Sequence, residues 1–458
     1  ESLYYKSPLL LQNAAVSLMG LKLRRERYTP AGQAMLDELL QTQHYSLEQM
    51  RAYQSRRFAA LARRAITHTP YYQRWAKEQG IAAQDITGLD DIHRFPVIEK
   101  ETIRANPEQF RAPPTAGQKH IELQTSGTTG TPLRVYTDPL SRSRHYAFFS
   151  RLRHQHGLSP IARRATLFGR IIMPVEEKRP PFWRCDRANH NLLMSSYHLN
   201  NDNLQHYYDK LRDYRPEEIF SYPSSLVALA DYIVEQQLEP LTLKLVMTTA
   251  EALQDRQKAI IQQAFKAPLV NQYGCTEMAF FAATGADGAM RFHPEHGYCE
   301  VRDAAGGISE QGSGELIATG LVNESMPVIR YAVGDDIQLG ERDQHGFQTL
   351  LEVSGRVDDF IYMLDGTPVG RLDPVFKGGA GIKAAQIEQY ADGSITLRIV
   401  PDASYSAAKG RVLESELRKR VGQEIGIELE TVAEIPKSAN GKFRPVISSY
   451  QSERRPQA

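Results

Sequence analysis

The sequence predicts an α/β protein, in which a large N-terminal domain with doubly wound, mostly parallel sheets and a β-rich subdomain precedes a small α+β C-terminal domain. Three observations lead to this prediction. Strand-like and helix-like segments alternate between residues 216 and 277, residues 290–352 alternate in polarity as β-strands do, and a hairpin, a charged helix and a strand follow residue 358. We therefore expect residues 1–100 to form a helical region of the large domain, 101–357 its core, and 358–458 the C-terminal domain.

The composition is that of an ordinary globular protein. Its 458 residues are enough for two to four domains with sizeable cores. Lys and Arg number 55 against 54 Asp and Glu, so the net charge of +1 gives no reason to expect a nucleic-acid partner. Three cysteines, an odd number, argue against a disulfide scaffold and for a reducing compartment. Because no apolar run approaches the roughly 18 residues of a membrane span, we expect a cytoplasmic protein without an integral membrane segment.

The sequence pattern of the N-terminal region predicts a series of helices. Residues 8–21 are moderately apolar and precede four basic residues. This pattern fits an amphipathic helix on a membrane surface or, more commonly, a helix that packs on its own protein. Residues 46–65 predict another helix, because Ser46 is a favourable N-cap and apolar residues recur at helical spacing after it. Neither segment carries obvious chemistry.

A segment rich in glycine and hydroxyl side chains stands between two strand-like runs, residues 120–123 and 133–137. Glycines let the backbone expose its N–H groups to an anion, and neighbouring hydroxyls add donors, so the segment predicts a phosphate-binding turn. It is not a P-loop, since no Lys follows the second glycine, and an ordinary polar turn is the alternative. The residues concerned are Thr125, Ser126, Gly127, Thr128, Thr129 and Gly130.

Residues 216–277 give the clearest architecture, with Ser224 predicted to cap the first of two helices. Short links between alternating strands and helices indicate parallel strands, and ligands bind outside the carboxyl ends of such strands. Two of these ends carry polar side chains, at 248–251 and 273–277. The predicted strands are 218–222, 243–248 and 268–272.

Six motifs occur in a fixed order along the chain. They are T-S-G-T-T-G-T-P at 125–132, Y-G-C-T-E at 273–277, G-E-L-I-A-T-G at 314–320, Y-A-V-G-D at 331–335, G-R-V-D-D at 355–359 and P-K-S-A-N-G-K at 436–442. In order and spacing they resemble the motifs of the adenylate-forming superfamily, which includes acyl-CoA synthetases, non-ribosomal adenylation domains and luciferases. Further segments are similar to the phenylacetate–CoA ligase branch and, within it, to proteins of capsular-polysaccharide biosynthesis. These segments are P-P-F-W-R at 180–184, S-S-Y-H-L at 195–199, Y-P-S-S-L at 222–226, H-P-E-H-G at 293–297, G-R-L-D-P-V-F-K-G at 370–378 and N-G-K-F-R at 440–444.

The resemblance implies an AMP-forming ligase that uses ATP and Mg²⁺. A carboxylate attacks the α-phosphate of ATP and releases pyrophosphate, and a thiol or an amine then takes the acyl group from the acyl-adenylate. The acceptor is expected to be coenzyme A, a carrier protein or an amine, and the C-terminal domain is expected to move as a lid between the two steps. Because the reaction shifts negative charge across the phosphates, the binding groups act mainly through position and electrostatics.

The resemblance also implies a role for each candidate site residue. Residues 125–130 would hold the β- and γ-phosphates, and Thr276 would touch the α-phosphate. Ala250 and Glu251 would line the adenine edge, Tyr273 beside Gly274 would stack on adenine, and Asp335 would accept hydrogen bonds from the ribose hydroxyls with Arg356 nearby. Glu277 would hold Mg²⁺, Asp358 would be the hinge, and Lys442 would bridge the carboxylate and the α-phosphate. A mobile ammonium on a flexible stem suits this last task. Without the resemblance, Lys442 is a solvated loop residue and Asp358 a plain turn residue.

Departures from the family pattern bear on the acceptor and on metals. Leu133 replaces a Lys that usually follows the phosphate-binding segment. Residues 364–374 lack the Gly-rich strand and turn of many thioester-forming relatives, which weakens the case for coenzyme A. The polysaccharide association of the branch favours acyl or aminoacyl transfer in surface-polysaccharide or secondary-metabolite assembly, with direct amide formation as the alternative to a coenzyme A thioester. Zinc, which some relatives bind, is not expected, because one cysteine of that site is missing. Its remaining candidates are Cys275, His293, His296 and Cys299.

The acyl pocket is expected within residues 140–275, and its side chains leave the acid open. Polar candidates, His145, Arg170 and His198, suit a polar amino acid, whereas the aromatic ones favour an aromatic or medium apolar acid. A nucleotide-binding scaffold without turnover is the alternative from another functional class, against which the intact candidate site residues argue. The aromatic candidates are Phe148, Phe149, Phe168, Phe182, Trp183, Tyr197 and Tyr222.

Overall fold

The computed structural model of the chain describes residues 2–114, 118–124, 133–200, 202–251, 253, 255–353, 361–369, 372, 375, 382–401, 404–433, 435 and 446–450. Its α-helices are α1 (Ser2–Lys6), α2 (Leu9–Arg27), α3 (Pro30–Thr42), α4 (Leu47–His68), α5 (Pro70–Gln79), α6 (Lys100–Ala105), α7 (Pro139–Gln155), α8 (Leu204–Tyr214), α9 (Pro223–Glu235), α10 (Asp255–Ala264) and α11 (Ala407–Val421). Its strands are β1 (Ile121–Gln124), β2 (Arg134–Thr137), β3 (Arg164–Phe168), β4 (Trp183–Asp186), β5 (Asn191–Ser195), β6 (Glu218–Ser221), β7 (Leu245–Thr249), β8 (Leu269–Gly274), β9 (Phe281–Thr284), β10 (Met290–Phe292), β11 (Gly297–Arg302), β12 (Ile308–Ser309), β13 (Gly312–Gly320), β14 (Tyr331–Arg342), β15 (Gln348–Val353), β16 (Ile361–Tyr362), β17 (Pro368–Val369), β18 (Ile382–Gln389), β19 (Ile395–Pro401), β20 (Ile427–Thr431) and β21 (Val446–Ser448).

The N-terminal region is mostly helical. Helix α4 begins with a capping box, in which Ser46 Oγ accepts a hydrogen bond from the Gln49 N–H at 3.2 Å and Gln49 Oε1 accepts one from the Ser46 N–H at 2.9 Å. Its apolar stripe, including Met50 and Phe58, is fully buried. Burial of this stripe holds the helical region on the rest of the molecule.

Helix α2 packs on the protein with one face only. It contacts β4 and α7, and its Gln12 and Gly20 are buried. The opposite face exposes apolar side chains, among them Leu10 with 75% and Leu18 with 68% of its surface accessible. Among the described residues, no helix is both long and apolar enough to cross a membrane. The packed face agrees with the more common of the two alternatives, a helix that packs on its own protein, and contact of the exposed face with a membrane surface stays the other alternative.

Thirteen strands form one mixed sheet, in the order β12-β11-β13-β14-β15-β10-β9-β8-β7-β6-β3-β5-β4. The strands β5, β3, β6, β7 and β8 are parallel, which confirms the α/β class and the parallel strands predicted for residues 216–277. One detail was wrong: α9 begins at Pro223 with Tyr222 as its N-cap, so Ser224 lies inside the first turn. Proline suits that first helical position because its fixed φ matches the helix and it has no N–H to satisfy.

Helix α7 lies across the parallel strands and runs opposite to β6. Near its end, the Arg153 guanidinium pairs with the Glu218 carboxylate at 2.8 Å, at the amino end of β6. One turn earlier, the Phe149 ring lies 5.8 Å from the ring of Phe220. Because α7 runs opposite to β6, its first turns lie at the carboxyl edge of the sheet, where ligands bind in folds of this class.

A buried polar network joins α7 to the segment between β10 and β11. The fully buried Arg151 donates to Glu295 at 2.6 Å and to His293 Nδ1 at 2.6 Å. His145 Nδ1 and His296 Nε2 are 2.9 Å apart. Burial, followed by the charge of Arg151, lowers the pKa of His293, and burial together with the neighbouring His145 and Arg151 lowers that of His296. These imidazoles are therefore neutral in the folded protein at pH 7.

We expect this network to make folding stability fall below about pH 6.5. The unfolded chain protonates its histidines near the ordinary pKa of about 6.5, whereas the folded chain does not, because burial lowers the pKa of His145 to about 4. Protonation of His145 in the unfolded chain therefore lowers stability by about 1.4 kcal/mol per pH unit as the pH falls from about 6.5 to about 4. His293 and His296 act in the same direction, because their pKa values are also lowered. Urea unfolding at pH 7.5, 6.5 and 5.5 measures the effect; His145→Phe should reduce the slope, and the exposed His154→Gln should leave it unchanged.

The C-terminal unit contains a four-stranded sheet in the order β20-β19-β18-β21, covered by α11. Leu413 and Leu417 of α11 pack on Ile387 and Leu397 in its core. This is the small α+β unit that the sequence predicts. The predicted domain boundary at residue 358 lies outside the described residues and stays a prediction.

Candidate active site

The candidate site begins where the parallel strands end. Ala250 and Glu251 follow β7, while Tyr273 and Gly274 close β8, so both pairs lie at the same edge of the sheet. Ala250 has a φ of +71°, a conformation that costs free energy for a residue with a side chain. Glu251 is buried beside it. The two strand ends that the sequence singled out are thus neighbours in the structure.

A tight turn after β8 holds Thr276 and Glu277. The Met278 N–H donates to the Cys275 carbonyl at 3.2 Å, and Met278 has a φ of +57°. Cys275 Sγ accepts a hydrogen bond from the Ala279 N–H at 3.4 Å. These contacts fix the turn, so that the Glu277 carboxylate is 4% exposed while Thr276 stays partly accessible.

Asp335 is positioned by a bulge in β14. In the pairing with β13, Ala332 lies opposite Ile317 and Asp336 opposite Glu315, so three residues of β14 face one residue of β13. The bulge includes Gly334 with a φ of +86°, a conformation that glycine adopts without strain. Bulges redirect side chains, and here Asp335 points inward with 1% of its surface exposed.

Two tyrosine–carboxylate hydrogen bonds join these elements. Tyr273 Oη donates to Asp335 Oδ2 at 2.6 Å, and Tyr331 Oη donates to Glu277 Oε1 at 2.6 Å. Strands β8 and β14 are four positions apart in the sheet order, so the sheet curls to bring them together. Hydrogen bonds to ionised groups are short and strong, and this pair holds two carboxylates at one site.

Two residues near these carboxylates were missed by the sequence interpretation. Tyr331 begins the Y-A-V-G-D motif, but the hydrogen bond that it donates to Glu277 joins residues 54 positions apart. A contact over such a distance produces no local pattern in the sequence. Lys100, in α6, donates to the Val333 carbonyl at 3.4 Å and so lies against the bulge of β14. Nothing in the sequence around this lysine distinguishes it from an ordinary lysine on the surface of a short helix.

The remaining candidates lie outside the described residues. These are Thr125, Ser126, Gly127, Thr128, Thr129, Gly130, Arg356, Asp358 and Lys442. The strands β1 and β2 that flank the predicted phosphate-binding turn do pair as an antiparallel hairpin, and Leu133 at its base is fully buried. The roles of these residues stay predictions.

The aromatic candidates for the acyl pocket separate into two groups. Phe168 contacts Tyr222 at a ring distance of 4.8 Å, at the carboxyl ends of β3 and β6. Phe182 instead stacks on His198 at 5.1 Å, inside the core that covers β5. The first group is placed to line a pocket, and the second packs the interior.

The histidines and cysteines considered for zinc do not gather at one place. His293 and His296 belong to the buried network around Arg151, Cys299 lies in β11, and Cys275 follows β8. Within the part of the chain that the structure describes, no group of three or more His, Cys, Asp or Glu side chains could hold a metal ion.

Comparison with known proteins agrees with this fold. The model of the CapK C-terminal domain matches residues 362–449. Over 458 residues the chain is 26% identical to protein CapK of Staphylococcus aureus, covering 98% of this chain and 99% of CapK. It is 25% identical over 353 residues to phenylacetate-coenzyme A ligase of Pseudomonas putida, covering 73% and 76% of the two chains. A structure of 2-hydroxyisobutyryl-CoA ligase in complex with 2-HIB-AMP and CoA shares the fold, with a TM-score of 0.53, 19% identity, and coverage of 93% and 92%.

The chain is thus similar to phenylacetate–CoA ligases of the adenylate-forming superfamily and, over nearly its whole length, to CapK. These similarities confirm the resemblance that the sequence motifs indicated. The relationship to CapK extends over both the large domain and the C-terminal unit, whereas the similarity to the phenylacetate-coenzyme A ligase of Pseudomonas putida covers about three quarters of each chain.

Proposed function

We propose that the protein is an ATP-dependent, AMP-forming carboxylate ligase, which makes an acyl-adenylate and transfers the acyl group to a thiol or an amine. The observation that carries this proposal is the pair of carboxylates, Glu277 and Asp335, that two tyrosine hydroxyls hold at the carboxyl edge of the sheet. A chain of this superfamily that had lost the reaction would have no need to hold two carboxylates at such a site.

Each group of the site has a task in this reaction. Asp335 accepts hydrogen bonds from the ribose hydroxyls of ATP, and the hydrogen bond that Tyr273 donates to it fixes the position of its carboxylate. Glu277 offers carboxylate oxygen, the kind of ligand that Mg²⁺ prefers, and the bond from Tyr331 orients it. Mg²⁺, when bound, neutralises charge that develops on the phosphate oxygens. Lys442 bridges the attacking carboxylate and the α-phosphate, where it offsets the repulsion between two anions.

Coenzyme A is the first acceptor to test. The phenylacetate-coenzyme A ligase relative is named for it, and the 2-hydroxyisobutyryl-CoA ligase structure contains CoA. An amine acceptor is the second candidate, because residues 364–374 lack the Gly-rich segment of many thioester-forming relatives. Product analysis by mass spectrometry with coenzyme A, or with amino sugars and amino acids, separates a thioester from an amide.

Carboxylate-dependent ATP–pyrophosphate exchange tests the proposed function. The acids should include aryl, fatty, hydroxy, amino and dicarboxylic acids. Exchange that depends on one class of acid establishes adenylation and identifies the first substrate. If no acid supports exchange while ATP still raises the Tm, the protein is a nucleotide-binding scaffold and the proposal is wrong.

We expect Glu277→Gln to lower exchange by about 100-fold and to raise the Mg²⁺ concentration needed for half-maximal rate, because an amide is a poorer ligand for a hard cation. Tyr331→Phe removes only the hydroxyl that orients this carboxylate, so the expected loss is about 10-fold. Tyr232→Phe, which removes a surface hydroxyl bonded to Gln205, is the matched control. Normal Mg²⁺ dependence in Glu277→Gln would exclude the carboxylate as a metal ligand.

A further inference from the structure

Three arginines from separate segments meet near the carboxyl edge of the parallel sheet. Arg27 is the last residue of α2, Arg142 lies in the first turn of α7, and Arg170 stands two residues beyond β3. The reversed direction of α7 explains this meeting, because its first turns lie over the strand ends that β3 and β6 share. In the sequence these arginines are scattered among aromatic residues and form no motif.

A continuous row of rings connects these arginines to the strand ends. The Arg27 guanidinium lies over the Tyr146 ring at 4.6 Å, a cation–π contact. Successive ring centroids along the row are 5.6, 5.8, 4.9 and 4.8 Å apart. We call this row the aromatic wall; it consists of Tyr146, Phe149, Phe220, Phe168 and Tyr222.

The positive charge of this cluster is only partly neutralised by protein groups. Arg142 pairs with Glu26 at 2.7 Å. Among the described residues, the buried Nε of Arg27 has no hydrogen-bond partner, and the guanidinium of Arg170 makes no ion pair or hydrogen bond. The nearby His145 adds no charge, because burial, Arg142 and Arg27 lower its pKa to about 4. Within the described part of the chain, the three guanidinium groups thus share one carboxylate, that of Glu26.

The arginines also repel one another. Burial, and then the charge of Arg27, lowers the pKa of Arg170, and Arg142 contributes in the same direction. The Arg170 side chain is nevertheless exposed to solvent, so an anion from solution can reach it. Like charges held close together are unfavourable unless an anion accompanies them. A bound anion would relieve this repulsion and gain charge-assisted hydrogen bonds.

We propose that Arg170, together with Arg27 and Arg142, binds a second negatively charged group on the substrate acid. The substrate is then a dicarboxylic acid, or a carboxylic acid that carries a phosphate, with its apolar part against the aromatic wall. This inference rests on the proposed function, in which the reacting carboxylate lies near the end of β8. Strands β8 and β3 are three positions apart, so roughly 14 Å separates their ends, which sets the scale of the distance between the two anionic groups.

The test compares acids that carry a second anionic group with partners of similar shape in which that second group is uncharged, using the full-length protein. Dicarboxylates from succinate to suberate and 4-carboxyphenylacetate are each assayed beside their monomethyl esters, and 3-phosphoglycerate beside glycerate, in ATP–pyrophosphate exchange. We expect the KM of the best dianionic acid to be at least 10-fold below that of its partner without the second charge. Whether that acid carries a carboxylate or a phosphate decides between the two chemical sources of charge.

Variants assign this preference to the arginine cluster. Arg170→Met should raise the KM of the dianionic acid by about 10- to 100-fold, the loss of one charge-assisted contact, and change kcat less than 3-fold. Arg170→Glu should reverse the preference, so that an ω-amino acid is used better than the dicarboxylate. Arg163→Met is the matched control, since Arg163 is an exposed arginine at the opposite end of β3. It should leave both constants unchanged.

The two proposals can fail separately. If acids without the second charge are used as well as dianionic ones, or if Arg170→Met leaves the ratio of their KM values unchanged, the anion site is wrong while adenylation stands. If no acid supports exchange, calorimetric binding of the same dicarboxylates and monoesters decides. A 10-fold preference for the dicarboxylate that Arg170→Met abolishes supports the anion site without catalysis; equal binding, or none, overturns it.

Discussion

Replacing Lys442 by alanine is expected to lower carboxylate-dependent ATP–pyrophosphate exchange by about 1,000-fold, the effect of removing one electrostatic contact made mainly in the transition state. Two anions, the carboxylate and the α-phosphate, must approach each other in the adenylation step. An ammonium between them offsets their repulsion most strongly when they are closest. ATP itself is held by other groups, so its dissociation constant should change less than 10-fold.

Two further variants sharpen this prediction. Lys442→Arg should rescue little of the activity, because a planar guanidinium does not reproduce the compact charge of an ammonium. Lys409→Ala, which removes a lysine from α11 of the same C-terminal unit, should leave exchange unchanged. Near-normal exchange in Lys442→Ala would contradict the proposed mechanism, whereas normal exchange with defective thioester or amide formation would move Lys442 to the second step.

The strand ends of the site were predictable because they follow from local patterns. Alternating helical and extended segments identified β6, β7 and β8 as parallel, and the carboxyl ends of parallel strands must share one edge. The alternation by itself therefore puts Glu251 and Tyr273 at neighbouring strand ends. It does not reveal the bulge that turns Asp335 inward, since a bulge depends on the register between two strands rather than on the pattern of one.

Contacts between distant segments were beyond the reach of sequence patterns. The bond from Tyr331 to Glu277 depends on the curl of the sheet. The H-P-E-H-G motif shows the same limit: its histidines were weighed for a zinc site that was not expected, and nothing in the sequence indicated that His293 lies beside Arg151 in the interior. A short motif gives residue types and spacing, but not the side chains that tertiary packing brings against it.

Among the substitutions considered, the loss of one partner from the interior ion pair between Arg151 and Glu295 is expected to lower folding stability most. Both side chains are almost completely buried, at 1% and 0% exposure, and join at 2.6 Å. Arg151→Met or Glu295→Leu alone leaves one charge buried without its partner, which costs about 3–5 kcal/mol in the free energy of unfolding. The double variant should cost much less than the sum of the two, because no charge is then left behind. The double variant should still be less stable than the wild type, because Thr42 loses the hydrogen bond of 2.8 Å that it donates to Glu295.

Urea unfolding of the four proteins at pH 7.5, where the buried histidines are neutral, measures the coupling. The exposed pair Lys258–Asp255 in α10 is the matched control, and its coupling should be below about 0.5 kcal/mol. Single variants that cost under 1 kcal/mol would contradict the prediction. This ion pair and the one between Arg153 and Glu218 fix the position of α7 on the sheet. Loosening α7 displaces Arg142 and His145, so both single variants should also raise the KM of the acid before the protein unfolds.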